Sequence, residues 1–179
     1  NPQDPYSISK AEAEMGLKKI MDQSGMNVVI IRPPLVYGHG VKGNFASLLK
    51  LASLTVPLPF GAIKNRRSLV SVENLVDLIC TCLDHPKAKN QTFLVSDDYD
   101  MSTPELCRLL AKSGGYNSRI FRFPRSLLWL ALSLIGKKTV YERLFGSMEV
   151  DIDLTKSQLS WKPPHKVEDS FINCWHSTD

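Results

Sequence analysis

The sequence of 179 residues has few cysteines, no long apolar run and no long run of one charge. Its four cysteines form no C-x-x-C pair and have no histidines at metal-ligand spacing, and no other feature indicates secretion. We therefore expect no metal site and four reduced, buried thiols. The chain has 22 basic and 18 acidic residues, and this small excess, without a basic run, excludes a typical nucleic-acid arm and favours a small anionic ligand.

The longest apolar run, LLWLALSLI from Leu127 to Ile135, is about half the roughly 20 residues that a membrane-spanning helix needs. We interpret it as a core helix. We also expect a cytoplasmic protein without a membrane partner. The alternative is a helix lying on an anionic membrane surface, because basic residues flank the run. These residues are Arg119, Arg122, Arg125, Lys137 and Lys138.

The first elements predict an α/β fold. Asp4 as a cap, Pro5 at the first helical position and Gly25 as a stop predict a helix through YSISKAEAEMGLKKIMDQSG. One face of it would carry Ile8, Ala11, Met15 and Ile20. The run NVVIIRPP that follows is branched, apolar and closed by two prolines, which predicts a strand buried on both faces of a parallel sheet.

The remaining segments continue the alternation and then become helical. NFASLLKLASL predicts a helix, and RRSLVSVENLVDLICTCLDH predicts a strand followed by a helix capped by Ser71. The apolar face of that helix would carry Val72, Leu75, Val76 and Ile79. QTFLVSD predicts a strand, STPELCRLLAKSGG predicts a helix, and helices dominate beyond Phe121.

Tyr6 and Lys10 share one face of the first predicted helix, with their Cβ atoms roughly 5–6 Å apart. A phenol is a poor base at neutral pH, but a cation about 6 Å away, at an effective dielectric near 20, favours the phenolate by about 2.8 kcal/mol. Tyr6 is then able to exchange a proton with a substrate hydroxyl. On spacing alone, a solvated surface pair fits these two residues as well.

The segment YSISKAEAE, followed by a strand ending RPPLVYGHG, resembles the middle of an extended short-chain dehydrogenase/reductase of the NAD-dependent epimerase/dehydratase family. NFASLLK, RRSLVSVENLVDLI and DLTKSQLSWKPPHKVEDSF continue the resemblance in order and spacing over nearly the whole chain. The resemblance implies the C-terminal part of a Rossmann-like α/β fold with a mostly helical substrate-binding lobe. Residues 1–42 and 66–98 would belong to the Rossmann-like part, and residues 43–65 and 99–179 to the lobe.

The ten glycines form no G-x-x-G-x-x-G turn, which in this family takes the cofactor pyrophosphate on its backbone amides. The serine or threonine that assists catalysis in the family would lie before residue 1. The resemblance thus implies that an N-terminal half is missing from this chain and that the chain alone is inactive. It implies NAD as the cofactor, with NADP as the alternative, and a homodimer as a possible assembly.

By the resemblance, Tyr6 is the catalytic base and Lys10 its electrostatic partner, and both would also contact the cofactor. Pro33 would approach the nicotinamide from the strand end, although a proline there also simply ends a strand.

Three further residues would contact the substrate. By the resemblance, Asn44 would contact the sugar nucleotide, although Asn44 also suits a helix cap. Arg67 and Arg143 would hold the diphosphate, a task that suits the planar fork of donors in a guanidinium. For Arg143, an ordinary surface arginine fits the sequence as well.

Two positions depart from the epimerases of this family. Leu35 replaces an asparagine, and Gly146 replaces an acidic residue. The function implied is a nucleotide-sugar 4-epimerase of the UDP-glucose/UDP-galactose type, which oxidises C4 transiently with NAD and would serve polysaccharide biosynthesis. The alternatives are an NAD(P)H-dependent 4-keto nucleotide-sugar reductase and a non-catalytic fragment that binds a sugar nucleotide.

Overall fold

The computed structural model describes residues 5–40, 44–54, 56–134, 136 and 138–175, without the side chains of residues 6, 44, 138–140 and 143. Within these residues the helices are α1 Pro5–Ser24, α2 Asn44–Ser53, α3 Val72–Asp84, α4 Thr103–Ser113, α5 Arg125–Leu134, α6 Lys138–Phe145, α7 Asp153–Leu159 and α8 Val167–Asn173. The strands are β1 Ile30–Arg32, β2 Leu35–Tyr37, β3 Leu69–Ser71 and β4 Thr92–Leu94, and a short 3₁₀ helix spans Pro86–Ala88.

The four strands form two parallel pairs. β1 pairs with β4, with Ile31 opposite Phe93, and β2 pairs with β3, with Val36 opposite Val70. Parallel neighbours need crossover connections, and α2 and α3 lie in the segments that supply them. The α/β class and the predicted order of the elements are confirmed.

α1 begins at Pro5 as predicted, but the face expected to be apolar is largely exposed at Ile8, Met15 and Ile20. β1 is also more open than its sequence predicts, because its residues are only half-buried or exposed. The expectation of burial on both faces is therefore wrong for this chain. Within the described residues β1 pairs with β4 alone, and the apolar residues of α1 that could cover one of its faces are themselves largely exposed.

α3 has the predicted cap, since the Ser71 hydroxyl accepts a hydrogen bond from the Asn74 amide at 3.1 Å. The predicted buried face is only partly right, because Leu75 packs on the core and Val72 is half-buried but Val76 and Ile79 are exposed. The fully buried residues of α3 are Asn74, Leu78 and Cys82. Both sides of this helix are apolar, so the packing of neighbouring elements decides which side is covered.

An aromatic cluster joins β2, α2 and α8. The ring of Tyr37 lies 5.3 Å from that of Phe45 and 4.7 Å from that of Phe171, and all three side chains are fully buried. A second core lies on the β1–β4 pair, where α7 contributes Leu159. The Thr155 hydroxyl of α7 donates to the Leu94 carbonyl at 2.7 Å.

The expectation of a core helix at residues 127–135 is only partly right for the described residues of α5, because Leu128 is buried and Leu132 packs against the same core, but most of its other large apolar residues are exposed. The expectation of buried thiols is wrong at Cys80, which is exposed. All four cysteines are free, and burial raises the pKa of Cys107 to about 11 and that of Cys174 to about 12.

In the part of the chain that the structure describes, no helix is both long and apolar enough to cross a membrane.

Candidate functional site

The predicted catalytic pair lies in the first two turns of α1. The backbone of Tyr6 is helical, but its side chain lies outside the described residues, and Lys10 is exposed. Glu14 follows at the next step of four, so these three residues lie along one face of the helix. The position of Glu14 therefore shows which way this face is turned.

An ion pair fixes that face of α1 to the carboxyl end of β1. The Nε atom of Arg32 donates to the Glu14 carboxylate at 2.9 Å, and a terminal nitrogen of Arg32 contacts its second oxygen. The hydrogen bond from Arg32 lowers the pKa of Glu14. Pro33, the next residue, is exposed at the end of β1. The structure thus brings the helix face that carries Lys10 to the strand end that carries Pro33.

Arg67 lies where three segments meet. Arg67 forms an antiparallel β-bridge with Met101, in which its backbone amide donates to the Met101 carbonyl at 2.9 Å. It also forms a parallel β-bridge with Met148. Its side chain is partly buried, and this burial lowers the pKa of the guanidinium. A cation that has lost part of its hydration in this way binds an anionic group more strongly than a fully solvated one.

The adjacent Arg66 has a different environment. Its guanidinium is exposed and forms ion pairs with Asp100 at 3.1 Å and with Glu149 at 3.0 Å. These carboxylates raise the pKa of Arg66 and balance its charge. Of the two neighbouring arginines, Arg66 is therefore held in surface ion pairs, and the cation of Arg67 is the one that is desolvated.

The sequence did not predict the role of Asn65, whose amide joins the Arg67 segment to the end of α6. Its nitrogen donates to the carbonyls of Leu144 at 3.3 Å and Gly146 at 2.9 Å, and its oxygen accepts from the Thr103 amide at 2.9 Å. Arg143 directly precedes Leu144, so the helix that carries it is bonded to the segment that carries Arg67. The side chain of Arg143 lies outside the described residues.

Gly146 closes the last turn of α6, where its amide donates to the Glu142 carbonyl at 2.8 Å. A Cβ atom at this position would stand 2.8 Å from that same oxygen, closer than real side chains allow. The local backbone therefore suits glycine and disfavours the acidic residue that the epimerases carry there.

The structure describes the side chain of Leu35 but only the backbone of Asn44. Asn44 is the first residue of α2, as predicted, but its side chain lies outside the described residues. Leu35 begins β2 and packs against the aromatic cluster of Tyr37, Phe45 and Phe171. An apolar side chain at position 35 thus has a packing role in this chain.

A buried polar cluster around Asp97 was also absent from the sequence analysis. One carboxylate oxygen accepts from the Ser71 amide at 3.0 Å and the Asn74 side chain at 2.7 Å, and the other accepts from the Tyr37 hydroxyl at 2.7 Å. Burial raises the pKa of Asp97, although these donors oppose the change. The Asn74 side chain also bonds both backbone groups of His165. The partners of Asp97 lie at least 23 residues away in the sequence, so local sequence patterns do not predict this cluster.

The chain matches one protein family and is similar in sequence to known proteins over nearly its whole length. The model of the NAD dependent epimerase/dehydratase family matches residues 1–96. The chain is 52% identical over 171 residues to a UDP-glucose 4-epimerase of Vibrio cholerae, covering 95% of this chain and 52% of that protein. The chain spans about half the length of the curated relatives it matches.

Solved structures share the fold. A UDP-glucose 4-epimerase of Thermotoga maritima, with UDP-glucose, superimposes with a TM-score of 0.70 at 20% identity, covering 98% of this chain and 53% of that one. RMD of Pseudomonas aeruginosa, complexed with NADPH, gives a TM-score of 0.73 at 18% identity, covering 98% and 56%. At these identities the likeness shows a common fold.

Proposed function

We propose that this chain, which belongs to the NAD dependent epimerase/dehydratase family, is the substrate-side half of a cytoplasmic nucleotide-sugar 4-epimerase that interconverts UDP-glucose and UDP-galactose. The observation that carries this proposal is the 52% identity, over 95% of this chain, to a UDP-glucose 4-epimerase. The chain lacks the glycine turn for the pyrophosphate, so the other half of the protein would supply it. The edge of β1 opposite β4 is a suitable place for a further parallel strand.

The residues of this chain fit the nicotinamide end of such a cofactor. Lys10 is exposed and suits a hydrogen bond to the ribose hydroxyls, and the apolar ring of Pro33 is exposed at the strand end. The ion pair of Glu14 and Arg32 links these two elements at the surface. Bound NAD would take the hydride from C4 of the sugar and return it to the opposite face. NAD is our proposal, with NADP as the alternative, since one structural neighbour is complexed with NADPH.

In this proposal Tyr6 performs the proton transfer. Its phenolate takes the proton of the C4 hydroxyl as the carbon is oxidised, and the phenol returns the proton after the keto sugar has turned. Lys10, one helical turn away, stabilises the phenolate during this exchange. Inversion at C4 requires the keto sugar to remain bound by its diphosphate while the ring turns. Arg67 and Arg143 would provide that anchor, and Asn44 would contact the sugar nucleotide.

We also propose that residues 1–42 and 66–98 form the cofactor-side part, and residues 43–65 and 99–179 the substrate lobe. The exposed apolar residues of α1 support a homodimer built on that helix in the complete protein. A complete protein that sediments as a monomer at high concentration would exclude the dimer.

Net consumption of the cofactor distinguishes the reductase from the epimerase. We expect the complete protein to convert UDP-galactose to UDP-glucose with NAD bound and without net formation of NADH, as followed by nuclear magnetic resonance of the sugar signals and by absorbance. Stoichiometric consumption of a reduced cofactor with a 4-keto nucleotide sugar would favour the reductase. Binding of UDP-sugars without conversion in either assay would favour the third alternative, a non-catalytic fragment that binds a sugar nucleotide.

The two neighbouring arginines provide a matched test of the diphosphate site. Arg67→Ala is expected to raise KM for the UDP-sugar about tenfold to a hundredfold, since a hydrogen bond to a charged group contributes about 1.5–3 kcal/mol. Arg66→Ala should leave KM nearly unchanged, because the charge of Arg66 is already balanced by Asp100 and Glu149. Steady-state kinetics and titration with UDP would measure both effects. Equal losses in the two variants would contradict the assignment of Arg67.

A further inference from the structure

α5 exposes a row of large apolar side chains to solvent. Leu127, Leu130 and Leu134 lie three or four residues apart, on one face of the helix, and are 50%, 48% and 79% exposed. Trp129 is 47% exposed, and Phe121 in the preceding segment is 44% exposed. Single exposed leucines are common on protein surfaces, but several on one short helix mark a surface that binds something.

The same part of the chain is strongly basic. Between Glu105 and Glu142 the sequence contains no acidic residue and seven basic ones. Arg119, Arg122 and Arg125 are exposed and lie at or just before the start of α5. Backbone hydrogen bonds between Leu58 and both Arg119 and Phe121 hold this preceding segment against the protein. The backbone of this basic segment is therefore held in place directly before α5.

This combination of charge and shape fits one kind of partner. A row of exposed leucines preceded by exposed arginines matches the boundary between acyl chains and anionic headgroups, where leucine side chains and arginine stems are both stable. A second copy of the chain packed symmetrically on this surface would bring its basic groups close to the same groups of the first copy. At ten residues, α5 is long enough to lie along a bilayer but not to cross it.

We propose that α5 and the segment before it form a docking surface for an anionic lipid bilayer. The row of Leu127, Leu130 and Leu134 enters the headgroup boundary, and Arg119 and Arg122 contact lipid phosphates. α5 then lies parallel to the bilayer plane. This inference does not rest on the proposed catalytic function, because it is argued from exposed side chains of α5 and the segment before it that have no role in the proposed reaction.

Co-sedimentation of the complete protein with vesicles tests this surface. One vesicle contains phosphatidylcholine alone, and the other contains equal parts of phosphatidylcholine and phosphatidylglycerol. We expect binding to the anionic vesicles, weaker binding in high salt, and little binding to the neutral ones. Arg119→Gln with Arg122→Gln should lower the partition coefficient on anionic vesicles roughly 25-fold, at about fivefold for each charge removed.

Leu134→Gln has a matched control in Leu83→Gln. Both leucines are 79% exposed, but Leu83 lies near the end of α3, beside Asp84. Leu134→Gln should weaken binding to anionic vesicles at least about fivefold, whereas Leu83→Gln should not change it. Thermal melts would confirm that both variants are folded, as expected for exposed positions.

Three outcomes would overturn the proposal. The first is a complete protein that stays in the supernatant with both vesicles, which would mean that another part of the protein or a second copy covers α5. The second is equal binding to neutral and anionic vesicles. The third is an equal effect of Leu134→Gln and Leu83→Gln.

Discussion

Tyr6→Phe in the complete protein is expected to lower kcat about a hundredfold to ten-thousandfold, which is the usual contribution of a positioned acid–base group. KM for the UDP-sugar should change little, because the lost hydroxyl acts mainly in the transition state. The substitution removes one oxygen and leaves the ring, so α1 should remain folded. Steady-state epimerisation of UDP-galactose would measure this effect, and circular dichroism would verify the fold.

Two further variants separate chemistry from structure. Tyr116→Phe removes a hydroxyl from a partly exposed ring that packs on Trp175, and it should leave kcat unchanged. Lys10→Met should shift the pH–rate profile toward alkaline pH, because the phenolate of Tyr6 would lose a nearby cation. If Tyr6→Phe retained full kcat, the base would have to be another group, and the assignment of Tyr6 would be wrong.

Asp97→Ala is expected to lower the free energy of unfolding by about 3 kcal/mol or more, since each buried donor left without an acceptor costs about 1–3 kcal/mol. Three donors would lose their acceptor: the Ser71 amide, the Asn74 side chain and the Tyr37 hydroxyl. Urea denaturation of the complete protein, followed by fluorescence and by circular dichroism, would measure the change.

Asp98→Ala is the matched control for Asp97→Ala. Asp98 is the next residue and pairs with Lys156 on the surface at 2.6 Å. A surface ion pair contributes about 0–1 kcal/mol, so this variant should be nearly as stable as the original protein. Comparable losses in the two variants would mean that the buried cluster makes no special contribution to stability.

The raised pKa of Asp97 also predicts a pH dependence. Between the ordinary value of 3.8 and the raised value, the folded protein holds a proton that the unfolded chain has released. Folding then takes up a proton, and the contribution of this group to stability falls as pH rises through that window. Asp97→Asn keeps an acceptor for Ser71 and Asn74 but cannot titrate. The stability of the original protein relative to Asp97→Asn should therefore fall as pH rises, and a constant difference would contradict the raised pKa.

Local signals in the sequence predicted the elements well. The cap residue Ser71 marks the start of α3, and Pro5 marks the start of α1. These signals depend on residues within a few positions of one another, so the sequence displays them directly. The four-residue spacing of Tyr6 and Lys10 is local in the same way and predicts that they share a helix face, although their chemical roles remain a prediction.

The sequence by itself determined the α/β class, the order of the helices and strands, and the family, because each depends on local pattern or motif. Only the tertiary structure decided which face of α3 is buried, that α5 is largely exposed, and that Asp97 collects donors from β2 and from the β3–α3 segment. Tyr37 and Asp97 are 60 residues apart, and Asn74 and His165 are 91 residues apart. Burial and polar pairing depend on which distant segments are brought into contact, and a helix with apolar residues on two sides is compatible with either side being covered.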